Sequence, residues 1–190
     1  MKKGWTTTKL ITVGGLVALK LLITIFFYTP FLALSGSVFS GVSVMLIGPF
    51  FTILTPLIVE QFGSVLIFSI LRFIIELPLP SIFPEIVNLV FLLISGLTID
   101  SFYSRLKTKK QFFSFLSGFV YNFLSMLILV FLYFSIGVPA AENLPKFFEA
   151  PVVIIGMTIL VSIIGGLSGC LAFLTYGKIK NTTVVKRIQS

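Results

Sequence analysis

Residues 151–176 read PVVIIGMTILVSIIGGLSGCLAFLTY, and not one of them is charged. As a helix the stretch rises about 39 Å at 1.5 Å per residue, more than the roughly 30 Å hydrocarbon core of a bilayer. Lys178 and Lys180 follow, and Glu149 lies just ahead of it. An apolar run of this length, closed by basic residues, is read as a membrane span.

Working outward, the pattern recurs. About 20 mostly apolar residues suffice for a crossing. On that criterion spans are expected over residues 8–28, 41–59, 62–77, 84–103, 111–136 and 151–176. The chain is therefore expected to be all-α, an integral membrane bundle of about six transmembrane helices, with residues 1–190 forming one transmembrane domain. Thr29 to Ser40 and Gly137 to Ala150 are expected as the longer connections, either lids over one mouth of the bundle or passive interfacial segments. Pro49 and Pro56 fall inside the second span, which would make it broken or re-entrant, and only Glu60, Gln61 and Gly63 separate it from the third. Pro78 and Pro80 are expected to end the third span and Pro84 to start the fourth.

Composition agrees. Of 190 residues 57% are hydrophobic and 11% charged, against about 25% charged in a soluble domain. Such hydrophobicity excludes disorder, and the many Phe residues suit lipid-facing and interhelical surfaces. The net charge of +8 does not mark a nucleic-acid binder, because Lys and Arg fall mostly between apolar runs. The first run follows Met-Lys-Lys, as a signal peptide would. It is long, lacks a small-residue cleavage pattern, and is expected to be retained as a helix.

The basic residues orient the bundle. Lys2, Lys3 and Lys9 lie in the N-terminal segment, at the start of the first span, Arg105, Lys107, Lys109 and Lys110 join the fourth to the fifth, and Lys178, Lys180, Lys186 and Arg187 follow the last. With an even number of spans these eleven share one side, and only Lys146 lies on the other. Both termini are accordingly expected in the cytoplasm, in a multi-pass protein of a prokaryotic plasma membrane.

Chemistry-bearing residues are few. The chain has no His, and Cys170 has no partner for a disulfide or a metal. No Walker A, H-E-x-x-H or G-x-S-x-G pattern occurs, so no catalytic residue, metal or cofactor is expected. Charged and amide groups inside spans are functional candidates because lipid penalises them. Arg72 and Glu76 lie four apart on one face of the third span; the pair either neutralises itself or offers a charge to a solute. Glu85 and Asn88 open the fourth span, and Asn122 lies near the middle of the fifth, as a solute contact or as interhelical glue. Lys20 needs a carboxylate, a carbonyl, water or a route to the interface. Asp100 and Glu60 are expected to face water or the basic loops. Gly14 and Ala18 in the first span, and Gly165 and Gly169 in the last, have the spacing that permits close helix approach, within the bundle or against another subunit.

The layout resembles the substrate-binding S components of energy-coupling factor (ECF) vitamin transporters. Gly14-Gly15-Leu16-Val17-Ala18 is similar to the small-x-x-x-small motif of that family's first helix, with Gly in place of the usual first Ala. Ile163-Ile164-Gly165-Gly166-Leu167-Ser168-Gly169 before Lys178 and Lys180 resembles its Gly-rich last helix and basic tail. The Gly48-Pro49 step and the Gly96 to Asp100 stretch are also similar. The resemblance implies a non-enzyme that captures a small solute, a vitamin or precursor, on the outer side. It implies a transmembrane coupling subunit at Gly14 and Ala18, two cytoplasmic ATPase subunits, and release inward. Arg72, Glu76, Glu85, Asn88 and Asn122 are the expected solute contacts, in the outer half of the bundle. The competing reading is a structural or scaffold membrane protein, such as a cell-shape or assembly factor, with no solute site. A membrane enzyme is the third choice.

Overall fold

Residues 4–35, 37–77, 85–136 and 151–189 are described by the structure, a computed structural model, with side chains described outside 27–44, 133 and 136. The expected outer connection 137–150, with Lys146, lies outside the described residues, as do Pro78, Pro80, Pro84, Lys2 and Lys3. Every regular element among the described residues is a helix: α1 (Thr7–Ser35), α2 (Ser37–Val59), α3 (Ser64–Glu76), α4 (Glu85–Leu106), α5 (Lys110–Ile136), α6 (Pro151–Ile179) and α7 (Thr183–Gln189). Four stretches are long and apolar enough to cross a membrane: Thr7–Phe26, Glu85–Leu106, Lys110–Leu132 and Pro151–Ile179.

Two elements differ from expectation. The connection expected over Thr29 to Ser40 is helical on both sides of residue 36. Irregular backbone in apolar surroundings leaves N–H and C=O groups unpaired, and helix removes that penalty. Helix α3 has only 13 residues, about 20 Å, so it falls short of a crossing by itself.

Helix α2 runs unbroken through Pro49 and Pro56. Proline has no N–H for the carbonyl four residues back, which for Pro49 is that of Met45. Asn122 on α5 donates its Nδ2 to the Met45 carbonyl at 3.1 Å, and Ser168 on α6 donates to the neighbouring Leu46 carbonyl at 2.6 Å. Helix α5 thus supplies, through Asn122, the donor that Pro49 lacks.

Helices α5 and α6 approach at backbone contact. A Cβ on Gly118 would meet the Gly165 carbonyl, and one on Gly169 would meet the Ser114 carbonyl. The small residues of α6 are therefore used inside the bundle. Those of α1 are not: a Cβ on Gly14 or Gly15 would touch nothing, and Ala18 is exposed.

Helix α3 is seated by α4. Gly63, at a φ of 86°, starts it without a side-chain cap. Asp100 supplies the cap from α4, its carboxylate accepting the N–H groups of Val65 at 3.3 Å and Leu66 at 3.0 Å. Asp100 is wholly buried, which corrects the expectation that it faces water or the basic loops.

A polar collar gathers one end of the bundle. Lys9 donates to Gln61 at 3.3 Å, Lys110 pairs with Glu60 at 2.5 Å, and the Tyr176 hydroxyl donates to Glu60 at 3.4 Å. Gln189 on α7 donates to the last carbonyls of α2, those of Leu57 and Ile58. The starts of α1, α3 and α5 and the ends of α2 and α6 therefore meet, and the N- and C-terminal helix ends lie together. Outward-facing residues are apolar, among them Ile11, Phe26, Phe131, Phe134, Val152 and Leu174. The charged side chains that fall within the apolar stretches, Lys20, Arg72 and Asp100, are buried instead, the arrangement a lipid solvent favours.

Candidate functional site

Lys20 of α1, Arg72 and Glu76 of α3, and Tyr121 of α5 converge in the bundle interior. Arg72 donates its Nε to Glu76 Oε2 at 2.8 Å and its Nη1 to the Tyr121 hydroxyl at 2.6 Å. Lys20 forms an ion pair with the other oxygen of the same carboxylate, Oε1. Lys20, Arg72 and Tyr121 are buried, while the Arg72 and Glu76 side chains keep 11% and 16% exposure. The cluster is not sealed.

Local sequence explains the convergence. The four-residue interval of Arg72 and Glu76 puts both on one face of α3, and the Asp100 cap fixes where α3 begins. Tyr121 stands about 16 Å along α5 from Lys110 at 1.5 Å per residue. Its ring packs edge-on against Phe91 of α4, centroids 5.2 Å apart. Gly48 of α2 also lies against it: a Cβ there would sit in ordinary contact with the Tyr121 ring, at 3.5 Å. In the Gly48-Pro49 step the proline frees the Met45 carbonyl that Asn122 takes up.

Of the expected solute contacts, Arg72 and Glu76 come together, held by a lysine and a tyrosine outside the expected set. Asn122 points elsewhere: its amide serves the carbonyls of Met45 and Val161, at 3.1 and 3.0 Å. Adjacent residues on a helix point about 100° apart, so Tyr121 reaches α3 while Asn122 reaches α2 and α6. Glu85 is exposed and Asn88 half-buried at the start of α4. No hydrogen bond or ion pair among the described residues joins either to Arg72. Asn88 stands one turn before Phe91 and so near the level of Tyr121. Lys20 carried a signal in the sequence, since a lysine within an apolar run requires a partner. Nothing local named Glu76 as that partner.

The charges do not cancel. Lys20 and Arg72 are two cations on one carboxylate, and Tyr121 brings no charge. The remaining described acids are engaged or placed elsewhere: Glu60 on Lys110, Asp100 on the start of α3, Glu85 at the surface. An open groove of about 760 Å³ lies at the collar end, lined by Lys109, Gln111, Phe112, Phe115, Cys170 and Phe173, a different part of the bundle from Arg72. No group of His, Cys, Asp and Glu among the described residues is arranged to hold a metal ion.

No family model, no curated protein and no solved structure matches the chain.

Proposed function

We propose that this chain is a membrane-embedded capture subunit for a small solute. The observation that carries the reading is the buried cluster of Lys20, Glu76, Arg72 and Tyr121, at mid-length of a bundle with many apolar side chains on its exterior. Charges in lipid-facing bundles mark solute or ion pathways because their desolvation is tolerated only where function retains them. A scaffold needs none. The tyrosine and Phe91 offer an aromatic wall beside the charges, as small-molecule sites combine apolar surface with a few polar groups.

In this reading the helices α1 to α6 cross a prokaryotic plasma membrane as six spans with both ends in the cytoplasm. The collar end is the cytoplasmic one. That assignment is supported by Lys9, Lys110, Lys186 and Arg187, which lie at the same end of the bundle. The open face at Gly14 and Ala18 is the docking face for a coupling subunit, as the resemblance to ECF S components implies, with ATP hydrolysed by two cytoplasmic subunits. The chain itself performs no catalysis. The solute belongs to the vitamin-like class.

The test is direct. The protein, purified in mild detergent and then denatured, is expected to release a small molecule identifiable by mass spectrometry. Arg72→Ala is expected to fold and release far less of it. A wild-type preparation that releases nothing and binds no member of a vitamin and precursor panel would overturn the reading.

A further inference from the structure

The capture reading leaves the chemistry of the solute open, and the charge count in the cluster narrows it. Glu76 offers one oxygen to Lys20 and the other to Arg72. Each cation therefore holds half of one negative charge. Burying a cation without its own counter-charge is heavily penalised, because attraction must offset lost hydration. The described acids outside the cluster do not relieve it, and Glu142 and Glu149 lie outside the described residues. The geometry of the two cations adds direction. They reach the carboxylate from different helices, so an anion arriving beside Glu76 would meet both an ammonium and a guanidinium edge. Guanidinium and ammonium groups are the usual donors to carboxylate and phosphate oxygens.

We propose that the Lys20–Glu76–Arg72 cluster receives an anionic group of the captured solute, a carboxylate or phosphate, and that this anion supplies the missing negative charge. The inference rests on the capture reading. It makes the empty site net positive and the loaded site neutral, which ties loading to a more stable bundle. A lipid headgroup is not the source. Tyr121 lies about 16 Å along α5, near the middle of a hydrocarbon core about 30 Å thick, out of a headgroup's reach.

The experiment measures thermal melting of the purified protein in non-ionic detergent at fixed ionic strength. Sodium benzoate, sodium phosphate and neutral benzamide are the probes. At saturation at least one of the two anions is expected to raise the wild-type melting temperature by about 3 °C or more, and benzamide to leave it unchanged. Lys20→Met removes the surplus charge and leaves Arg72 paired with Glu76. It is expected to melt above the wild type without added anion and to lose the anion response. Lys20→Gln keeps a hydrogen-bond donor to Glu76 without the charge, and should behave alike if the methionine variant fails to fold. The proposal is overturned if neither anion moves the wild type, or if the response survives in the Lys20 variants. It is equally overturned if both variants melt below the wild type, since Lys20 is then only Glu76's structural partner. Release of a neutral or cationic molecule from a protein that ignores both anions removes this inference and leaves capture standing. An intact anion response in a protein that retains no solute does the reverse.

Discussion

At the residue scale the interior is organised by a few polar side chains whose partners are specific. Glu76 is the hub, so its loss should be the worst. Glu76→Gln leaves Lys20 and Arg72 facing each other with no anion. It is expected to destabilise the folded state by about 3–5 kcal/mol, the usual range for an uncompensated buried charge. Arg72→Leu leaves the Lys20–Glu76 pair intact and should cost about 1–3 kcal/mol through the lost Tyr121 contact. Thermal melts of the two variants rank them. Equal losses would mean that Lys20 does not share the carboxylate. Arg72→Leu/Glu76→Leu, which would restore stability if the two residues only neutralised each other, should stay poor because Lys20 is stranded. Asn122 invites a different test. Asn122→Leu orphans the Met45 carbonyl and is expected to cost about 1–3 kcal/mol. Pro49→Ala restores the backbone N–H to that carbonyl. The double variant should therefore recover part of the loss, and an additive double-mutant cycle would refute the link.

At the element scale the two small-residue stripes separate. Gly169 of α6 lies against the Ser114 carbonyl of α5, and Gly118 against that of Gly165. Gly169→Leu is expected to disrupt the α5–α6 contact by more than the roughly 1–3 kcal/mol of ordinary overpacking, because backbone rather than a side chain must move. Ala18 of α1 is exposed, and Ala18→Trp should leave the stability within about 0.5 kcal/mol of the wild type, as surface changes do. Under the proposed function the same variant should fail to bring down the coupling subunit in a pull-down while still releasing solute. Normal assembly by Ala18→Trp would remove α1 as the docking face. The sequence shows both stripes with the same spacing. It contains nothing to tell which is covered, since that depends on where α5 lies in space.

For the whole molecule, large apolar side chains such as Phe131, Phe134 and Leu174 cover the outside while Lys20, Arg72 and Asp100 are buried, a pattern that lipid solvent favours. The collar at Glu60, Lys110 and Tyr176 ties the basic end together, and in the proposed orientation that end is cytoplasmic. Lys107→Cys in a Cys170→Ala background is expected to resist membrane-impermeant maleimide in intact cells and to label after lysis. Labelling in intact cells would reverse the topology.

The amino-acid sequence by itself determined the helical class, the apolar exterior and the grouping of basic residues, because these follow from composition, run length and position along the chain. It also put Arg72 and Glu76 on one face through their helical interval. Only the tertiary structure decided that Lys20 completes that pair, that Tyr121 joins it and Asn122 does not, that Asp100 caps α3, and that α2 passes through Pro49 unbroken. Each of these contacts joins residues distant in sequence. Lys20 and Glu76 are 56 residues apart, and Asn122 and Met45 are 77 apart. Helical periodicity dictates which face of one helix a residue occupies. Which neighbour that face meets is set by how the helices pack, through close approaches such as Gly118 on Gly165 that no local pattern specifies.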